Sequence, residues 1–248
     1  MKRFFIISIA FLLALSAVGI SERNEVSMIG EGESYQAFPL KGVKIGIDPG
    51  HQRKSNNQQE AVAPGSSETK AKVSSGTSGV STGIPEYISV LEISFMLRDL
   101  LCDLGAEVKM TRETHDVDIS NQERAIMMNE WGADIVIRVH LNGYNDHSVH
   151  GMGMYVRKTG AYAEESAYLG KLMLTEMEKL TQAKNQGVFK RDTYTGLNWS
   201  EVPCVLAELG YMSNYEEDEK LNDPEYRMLL VKGMVNGIIE YVYDMGVL

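Results

Sequence analysis

Apolar residues in this chain fall into short runs separated by polar stretches, and the spacing within the runs alternates between two kinds. "VKIGID" (43–48), "AEVKMT" (106–111), "ADIVIRVH" (133–140), "GMGMYV" (151–156) and "PCVLAE" (203–208) have the length and β-branched content of buried strands. Between them the apolar positions recur at helical spacing. From Glu86 to Leu104, residues Ile93, Leu97, Leu100, Leu101 and Leu104 share one side, and Gly105 is the stop. A second helix opens on "SNQE", where Ser120 and Glu123 form a capping box. A third covers about 162–181, with Leu169, Leu172, Met173 and Leu180 on one face. The last begins "DPEY", with Asp223 as N-cap and Pro224 at the first helical position, and runs to about Tyr243. Strands alternating with helices predict a single α/β domain: a mostly parallel twisted sheet with helices on both faces.

Two stretches break the alternation. Residues 52–85 are rich in Ser, Gly, Thr and Lys, and read as a long flexible insertion with few apolar groups to bury. Shortening it to a few residues between Asn57 and Thr82 is therefore expected to leave the fold and any bound metal in place, since loop-closure entropy changes slowly with length. At the amino end, Lys2 and Arg3 precede an apolar stretch from Phe4 to Val18 and then small residues. Residues 1–19 thus read as a secretory signal peptide, or as an uncleaved N-terminal anchor, and 20–42 as a linker. Export places the domain, 43–245, outside the cytoplasm or on the cell surface.

Charge narrows the partners. The 248 residues carry a net charge of −10, which removal of residues 1–19 makes more negative still, and nucleic acid is a poor match for such a chain. No basic amphipathic stretch suits a membrane surface, so membrane contact is left to the N-terminal segment. Cys102 and Cys204 fall in regular structure and form no metal-binding cluster. They read as two buried free thiols or as a single disulfide.

One acid stands out. Glu208 interrupts the apolar run "PCVLAELGY" between Ala207 and Leu209, and an unpaired buried carboxylate is strongly unfavourable. In an open α/β sheet, ligands gather at the carboxyl ends of the strands. His51 follows the first strand in "IDPGH", His140 closes "IVIRVH", and Glu208 closes "VLAE". Glu86 begins a helix that starts at the same end, two helical turns before Ile93 and on its core-facing side. Two His and one Glu are a ligand set for catalytic zinc, with the remaining Glu free to act on a water at the open position. Competing ligands are weaker: His147 and His150 lie in a loop with Asp146, His115 in a turn, Glu68 in the insertion and Glu92 further along the Glu86 helix. There is no H-E-x-x-H, G-x-S-x-G or phosphate-binding loop.

Taken together, "IDPGH", "PEYISVLEISFMLRDLL", "TRETHD", "NQERAIMMNEWGADIVIRVHLNG" and "VLAELGYMSN" resemble, in order and spacing, the zinc-dependent N-acetylmuramoyl-L-alanine amidases of the type-3 family, over about residues 43–245. The resemblance implies a bacterial cell-wall hydrolase that cleaves the amide between N-acetylmuramic acid and L-alanine in peptidoglycan. It implies one zinc ion, His51, Glu86 and His140 as its ligands, and Glu208 as the catalytic acid/base. The chain departs from the family at Gln52-Arg53, where glycines usually follow the first His, and at Arg138, where a small residue is usual. Arg138, Asn142, Asn198 and Trp199 are candidates for the substrate groove, and Lys70 and Lys72 for meeting stem-peptide carboxylates. A zinc peptidase acting on the stem peptide, and a non-catalytic peptidoglycan-binding protein of the same fold, are the alternatives.

Overall fold

The computed structural model describes residues 38–247; the signal or anchor at 1–19 and most of the 20–42 linker lie outside them. The end of that linker is packed rather than free: Leu40 is fully buried and its N–H donates to the Leu104 carbonyl at 3.0 Å.

In chain order the elements are β1 (Lys44–Pro49), β2 (Asn56–Ala61), β3 (Thr69–Val73), α1 (Glu86–Asp103), β4 (Glu107–Met110), α2 (Asn121–Trp131) and β5 (Ile135–Asn142). They continue with β6 (Met152–Arg157), α3 (Ala163–Thr181), β7 (Asn185–Arg191), α4 (Thr195–Asn198), β8 (Cys204–Tyr211), α5 (Tyr215–Leu221) and α6 (Pro224–Met245). Six strands form one sheet in the order β4-β1-β5-β8-β6-β7. β4, β1, β5 and β8 run parallel; β6 pairs antiparallel with β8, and β7 follows β6 in parallel. The mostly parallel sheet read from the sequence is therefore present, with the two strands at one edge, β6 and β7, reversed. β7 was not foreseen, because "NQGVFKR" is a half-buried edge strand with too few apolar residues to declare itself.

α1, α3 and α6 cover one face. Leu169, Met173 and Met177 of α3 and Leu230, Met234 and Ile238 of α6 are buried there, as the helical spacing requires. The expected caps form: Ser120 accepts from the Glu123 N–H while Glu123 reaches back to the Ser120 N–H, and Asp223 accepts from Glu225 and Tyr226. The other face carries α2 and the short α4, packed through Met128, Val136, Leu197 and Leu206.

The 52–85 segment differs from its reading as a flexible insertion. β2 and β3 pair as an antiparallel hairpin, and Val62 and Val73 are buried. The hairpin is held chiefly by polar contacts to α2 and α4, which composition does not signal. Trp199 donates its indole N–H to the Ala61 carbonyl at 2.8 Å, Asn198 donates to the Val62 carbonyl at 3.0 Å, and Asn121 donates to the Lys72 carbonyl at 2.7 Å. Cys102 and Cys204 are both unpaired, and Cys102 is exposed rather than buried.

Candidate active site

The parallel strands deliver the site residues to one rim. In the β5–β8 register His140 lies opposite Glu208, and in the β1–β5 register Pro49 lies opposite Val139, so β1 ends beside His140. The chain then turns through Gly50, whose N–H donates to the Val139 carbonyl at 2.9 Å. A Cβ on Gly50 would lie 2.4 Å from the His140 ring, so only glycine permits this approach. His51 follows in the left-handed region at φ 60°, a conformation that costs a non-glycine residue on the order of 1 kcal/mol and must be held by its surroundings.

Two arginines hold it. Arg124, almost wholly buried, donates to the carbonyls of Pro49 (2.8 Å), His51 (2.9 Å) and Ile119 (3.1 Å), to Gln52 Oε1 (3.2 Å) and to Asp48 Oδ1 (2.8 Å). Arg112 donates to the carbonyls of Pro49, Gly50, Tyr87 and Thr114. Burial alone would raise the Asp48 pKa, but the neighbouring Arg138 and Arg124 and the Thr111 hydroxyl outweigh it and hold the carboxyl well below the usual range.

Three donor atoms converge at the rim. His51 Nε2 and Glu86 Oε1 are 3.1 Å apart, His140 Nδ1 and Glu86 Oε1 3.3 Å, and the two ring nitrogens 3.1 Å. Ligands about 2.0–2.1 Å from a tetrahedral ion lie roughly 3.3 Å from each other, so the triangle has the size a zinc site needs. The chemistry of the donors agrees. Burial, the largest influence, pushes the His140 pKa down and favours the neutral, metal-binding imidazole. Burial would raise Glu86, but its bonds to His140 and His51 prevail and keep it ionised. His51 Nδ1 meets the Ser74 carbonyl at 3.0 Å, a contact that places the proton on Nδ1 and leaves the Nε2 lone pair facing the other donors. Glu86 is oriented by N–H groups of Thr77 and Leu141, each at 3.0 Å. Gly76, at φ 79°, passes so close that a Cβ would lie 2.6 Å from Glu86 Oε2. His51, Glu86 and His140 are the group among the described residues that could hold a metal ion.

Glu208 opens into the same cleft, which has a volume of about 410 Å³. Burial, and then the Glu86 charge, push its pKa well up, and its Oε2 has no hydrogen-bond partner among the described residues. A half-buried carboxyl with one unpartnered oxygen, beside a metal-ligand triangle, is placed to exchange a proton with whatever occupies the cleft.

The remaining sequence candidates divide. Asn142 lines the cleft. Arg138 does not reach it: the guanidinium is buried against Asp48 at 3.1 Å and donates to Asn121 Oδ1 at 2.9 Å. Asn198 and Trp199 hold the hairpin and do not line this cleft; Trp199 instead borders a separate depression with Pro64, Ile126 and Glu201. Lys72 donates to Gln58 Oε1 within the hairpin. His147 is tied to the Ser213 carbonyl and His150 to that of Ser148; His115 packs edge-on to Tyr87, Glu68 is exposed, and Glu92 pairs with Arg227. Sequence reasoning missed Asp48, Arg112, Arg124, Ser74 and Thr77. The arginines do stand in "TRETHD" and "NQERA", but Thr77 acts through its backbone N–H, and Ser74, whose carbonyl and hydroxyl both lie 3.0 Å from His51 Nδ1, is one serine in a Ser-rich segment with no spacing to single it out.

Residues 45–240 match the family described as N-acetylmuramoyl-L-alanine amidase. The chain belongs to this family. It is 27% identical over 209 residues to the probable cell wall amidase LytH of Staphylococcus epidermidis, covering 84% of this chain and 62% of that protein, so it spans under two thirds of that relative's length. It is 25% identical to the N-acetylmuramoyl-L-alanine amidase Rv3717 of Mycobacterium tuberculosis, over 84% of this chain and 89% of the relative. Among solved structures it superposes on the amidase Ami1 of Mycobacterium abscessus with a TM-score of 0.75 at 27% identity, covering 82% of this chain and all (100%) of the other. Ami1 of Mycobacterium smegmatis gives a TM-score of 0.76 at 24% identity, over 83% and 99% of the two chains, a likeness of fold.

Proposed function

We propose that this chain hydrolyses the amide joining the lactyl group of N-acetylmuramic acid to L-alanine in peptidoglycan, with one zinc ion held by His51, Glu86 and His140 and with Glu208 as acid/base. The observation that carries the reading is the triangle of donor atoms, 3.1–3.3 Å on each side, beside the buried and unpartnered Glu208 oxygen. Bound there, zinc would act as a Lewis acid on the scissile carbonyl and would acidify a water in the cleft. The residues supply the rest. Glu208 acts as the carboxylate when it takes a proton from the attacking water; its surroundings favour the protonated form that results, and the same proton goes to the departing L-alanine nitrogen as the C–N bond breaks. Glu86 is held by the N–H groups of Thr77 and Leu141, and the His140 ring by its close packing against Gly50, so the site is organised before substrate arrives. Secretion through residues 1–19 would bring the domain to the cell wall.

Digestion of purified peptidoglycan tests the reading. New L-alanine amino termini should appear with zinc, vanish after chelation and return when zinc is restored. Products in which the lactyl carboxyl group stays amidated while stem peptides are cut would mean a peptidase instead. No release under any metal condition would remove the hydrolase altogether.

A further inference from the structure

A band of aromatic and cationic side chains leads away from Glu208 across the sheet face that α2 and α4 leave uncovered. It begins at Gly153, which pairs with Glu208 in the β6–β8 register. Phe189 leans over this glycine, so that a Cβ there would lie 3.2 Å from the ring. Tyr155 stacks on Phe189 with ring centroids 5.1 Å apart, and Tyr194 follows at 5.5 Å from Tyr155. All three rings are half-buried.

Two cations lie over these rings. The Arg191 guanidinium sits 5.5 Å from the Phe189 centroid and 6.0 Å from that of Tyr155, and Lys70 Nζ lies 6.0 Å from Tyr194. Neither has a carboxylate partner among the described residues: Arg191 donates to the Lys190 carbonyl and Lys70 to that of Thr193. Their neighbours are different, since Lys158 pairs with Asp192 and Lys190 with Glu164. In a chain with 34 acids against 24 Lys and Arg, two exposed cations held side by side over aromatic rings form a local surface whose chemistry suits an anion with an apolar body.

We propose that Arg191 and Lys70, standing over the Tyr155–Phe189–Tyr194 shelf, determine specificity by binding a free carboxylate of the stem peptide. The reach fits. Arg157, which is the register partner of Arg191, lies four residues along β6 from Gly153, about 13 Å at 3.3 Å per residue. The Arg191 side chain leans back over Phe189 towards Glu208, which shortens that span. An extended stem gains about 3.3–3.6 Å per residue, so the groups within reach are those on its second and third residues. The rings would meet the aliphatic parts of the stem, and a planar guanidinium fits a carboxylate with two parallel bonds. The inference rests on the amidase reading, because it takes Glu208 as the point from which the stem departs.

The test uses synthetic muropeptides that carry a free carboxylate or its primary amide at the second residue, and separately at the third. Wild type should prefer the carboxylate by about tenfold or more in kcat/KM at one of the two positions, mainly through KM. Arg191→Gln should bring that ratio close to one, Arg191→Lys should restore part of it, and Lys70→Met should lower it. Circular dichroism and zinc content show that each variant is folded and loaded. Equal kcat/KM for acid and amide in wild type, or a preference that Arg191→Gln leaves intact, overturns the assignment while cleavage itself leaves the amidase reading standing. Failure of wild type to cleave any of the four compounds removes both.

Discussion

Arg124→Met is the change whose consequences the structure defines most fully. The wild-type guanidinium makes five hydrogen bonds from a buried position, to Asp48, Gln52 and the carbonyls of Pro49, His51 and Ile119. Methionine fills much of the volume but satisfies none of these acceptors. Breaking a buried ion pair by removing one member typically costs about 3–5 kcal/mol, and each buried carbonyl left without a partner adds about 1–3 kcal/mol unless water enters. Arg138 remains beside Asp48, and water can reach the half-buried turn at His51, so the contributions will not add fully. A net loss of about 4 kcal/mol follows, a large share of the roughly 5–15 kcal/mol that stabilises a typical domain.

Urea unfolding with excess chelator measures this loss without any contribution from metal binding. With a slope of about 2–3 kcal/mol per molar for a domain of this size, the midpoint should fall by roughly 1.5 M. A second readout separates positioning from general damage. Because Arg124 holds the backbone of His51 at a left-handed φ, zinc affinity measured below the unfolding midpoint should fall as well. Arg124→Lys, which keeps the charge beside Asp48 but not the planar fork, should recover stability better than zinc affinity. A destabilisation under about 1 kcal/mol with unchanged zinc affinity would refute the claim that this arginine braces the metal turn.

Glu208→Gln should keep stoichiometric zinc and lose about 10²–10⁴-fold in kcat, whereas Glu86→Gln should lose metal and activity together; loss of zinc from the first variant would reverse the two roles. Burial and the Glu86 charge raise the Glu208 pKa, so its contribution to metal-free stability is full below the ordinary carboxylate range and is lost as pH rises through the raised value. Metal-free Glu208→Gln should therefore be more stable than wild type at pH 8, with the gap closing at pH 4; midpoints equal at both would argue against the burial. Asp48 has the opposite sign: its pKa is depressed, so the stability it contributes is present above the unfolded value near 4 and is lost as pH falls, at up to about 1.4 kcal/mol per unit, a slope that Asp48→Asn should remove from acid unfolding curves. Burial pushes the Cys204 thiol up to about 12, so a thiol reagent should label only the exposed Cys102 in the native protein and both after unfolding; rapid native labelling of Cys204 would contradict its packing.

The parts of the molecule that could be read from sequence are those that act through side chains at regular spacing. β1, β5 and β8 were visible because buried parallel strands are almost continuously apolar, and the convergence of His51, Glu86, His140 and Glu208 followed from where such strands end. Glu86 was placed correctly by its two-turn offset from Ile93, both of which are buried on α1. Arg138 was misjudged for a physical reason: a long cation on a strand beside the site suggests a ligand, yet its counter-ion Asp48 sits directly across the β1–β5 register on a neighbouring strand. The edge strand β7, with Arg191 over its aromatic shelf, is hidden in the sequence because a half-buried edge has no clean period, whereas Lys70 is legible there as a candidate for a stem-peptide carboxylate.

The hairpin in 52–85 shows where composition misleads most. Few apolar residues means few apolar contacts, but a segment can also be fixed by satisfying backbone groups, and this one exchanges hydrogen bonds with Asn121, Asn198 and Trp199. Its return strand then supplies the Ser74 carbonyl to His51 Nδ1, and the residues that follow place the Thr77 N–H on Glu86. The segment is thus part of the outer shell of the metal site, where loss of one partner commonly costs about 10–100-fold in metal affinity. Loop-closure entropy alone says that replacing 57–82 by a short linker should leave zinc binding intact. The geometry says otherwise: zinc affinity in a chelator competition should fall by at least tenfold, while shortening only the turn between Ala63 and Ser67 should leave it unchanged. Equal affinity in both truncations would mean that the contacts of Ser74 and Thr77 do not orient the ligands, and that the hairpin is merely seated beside them.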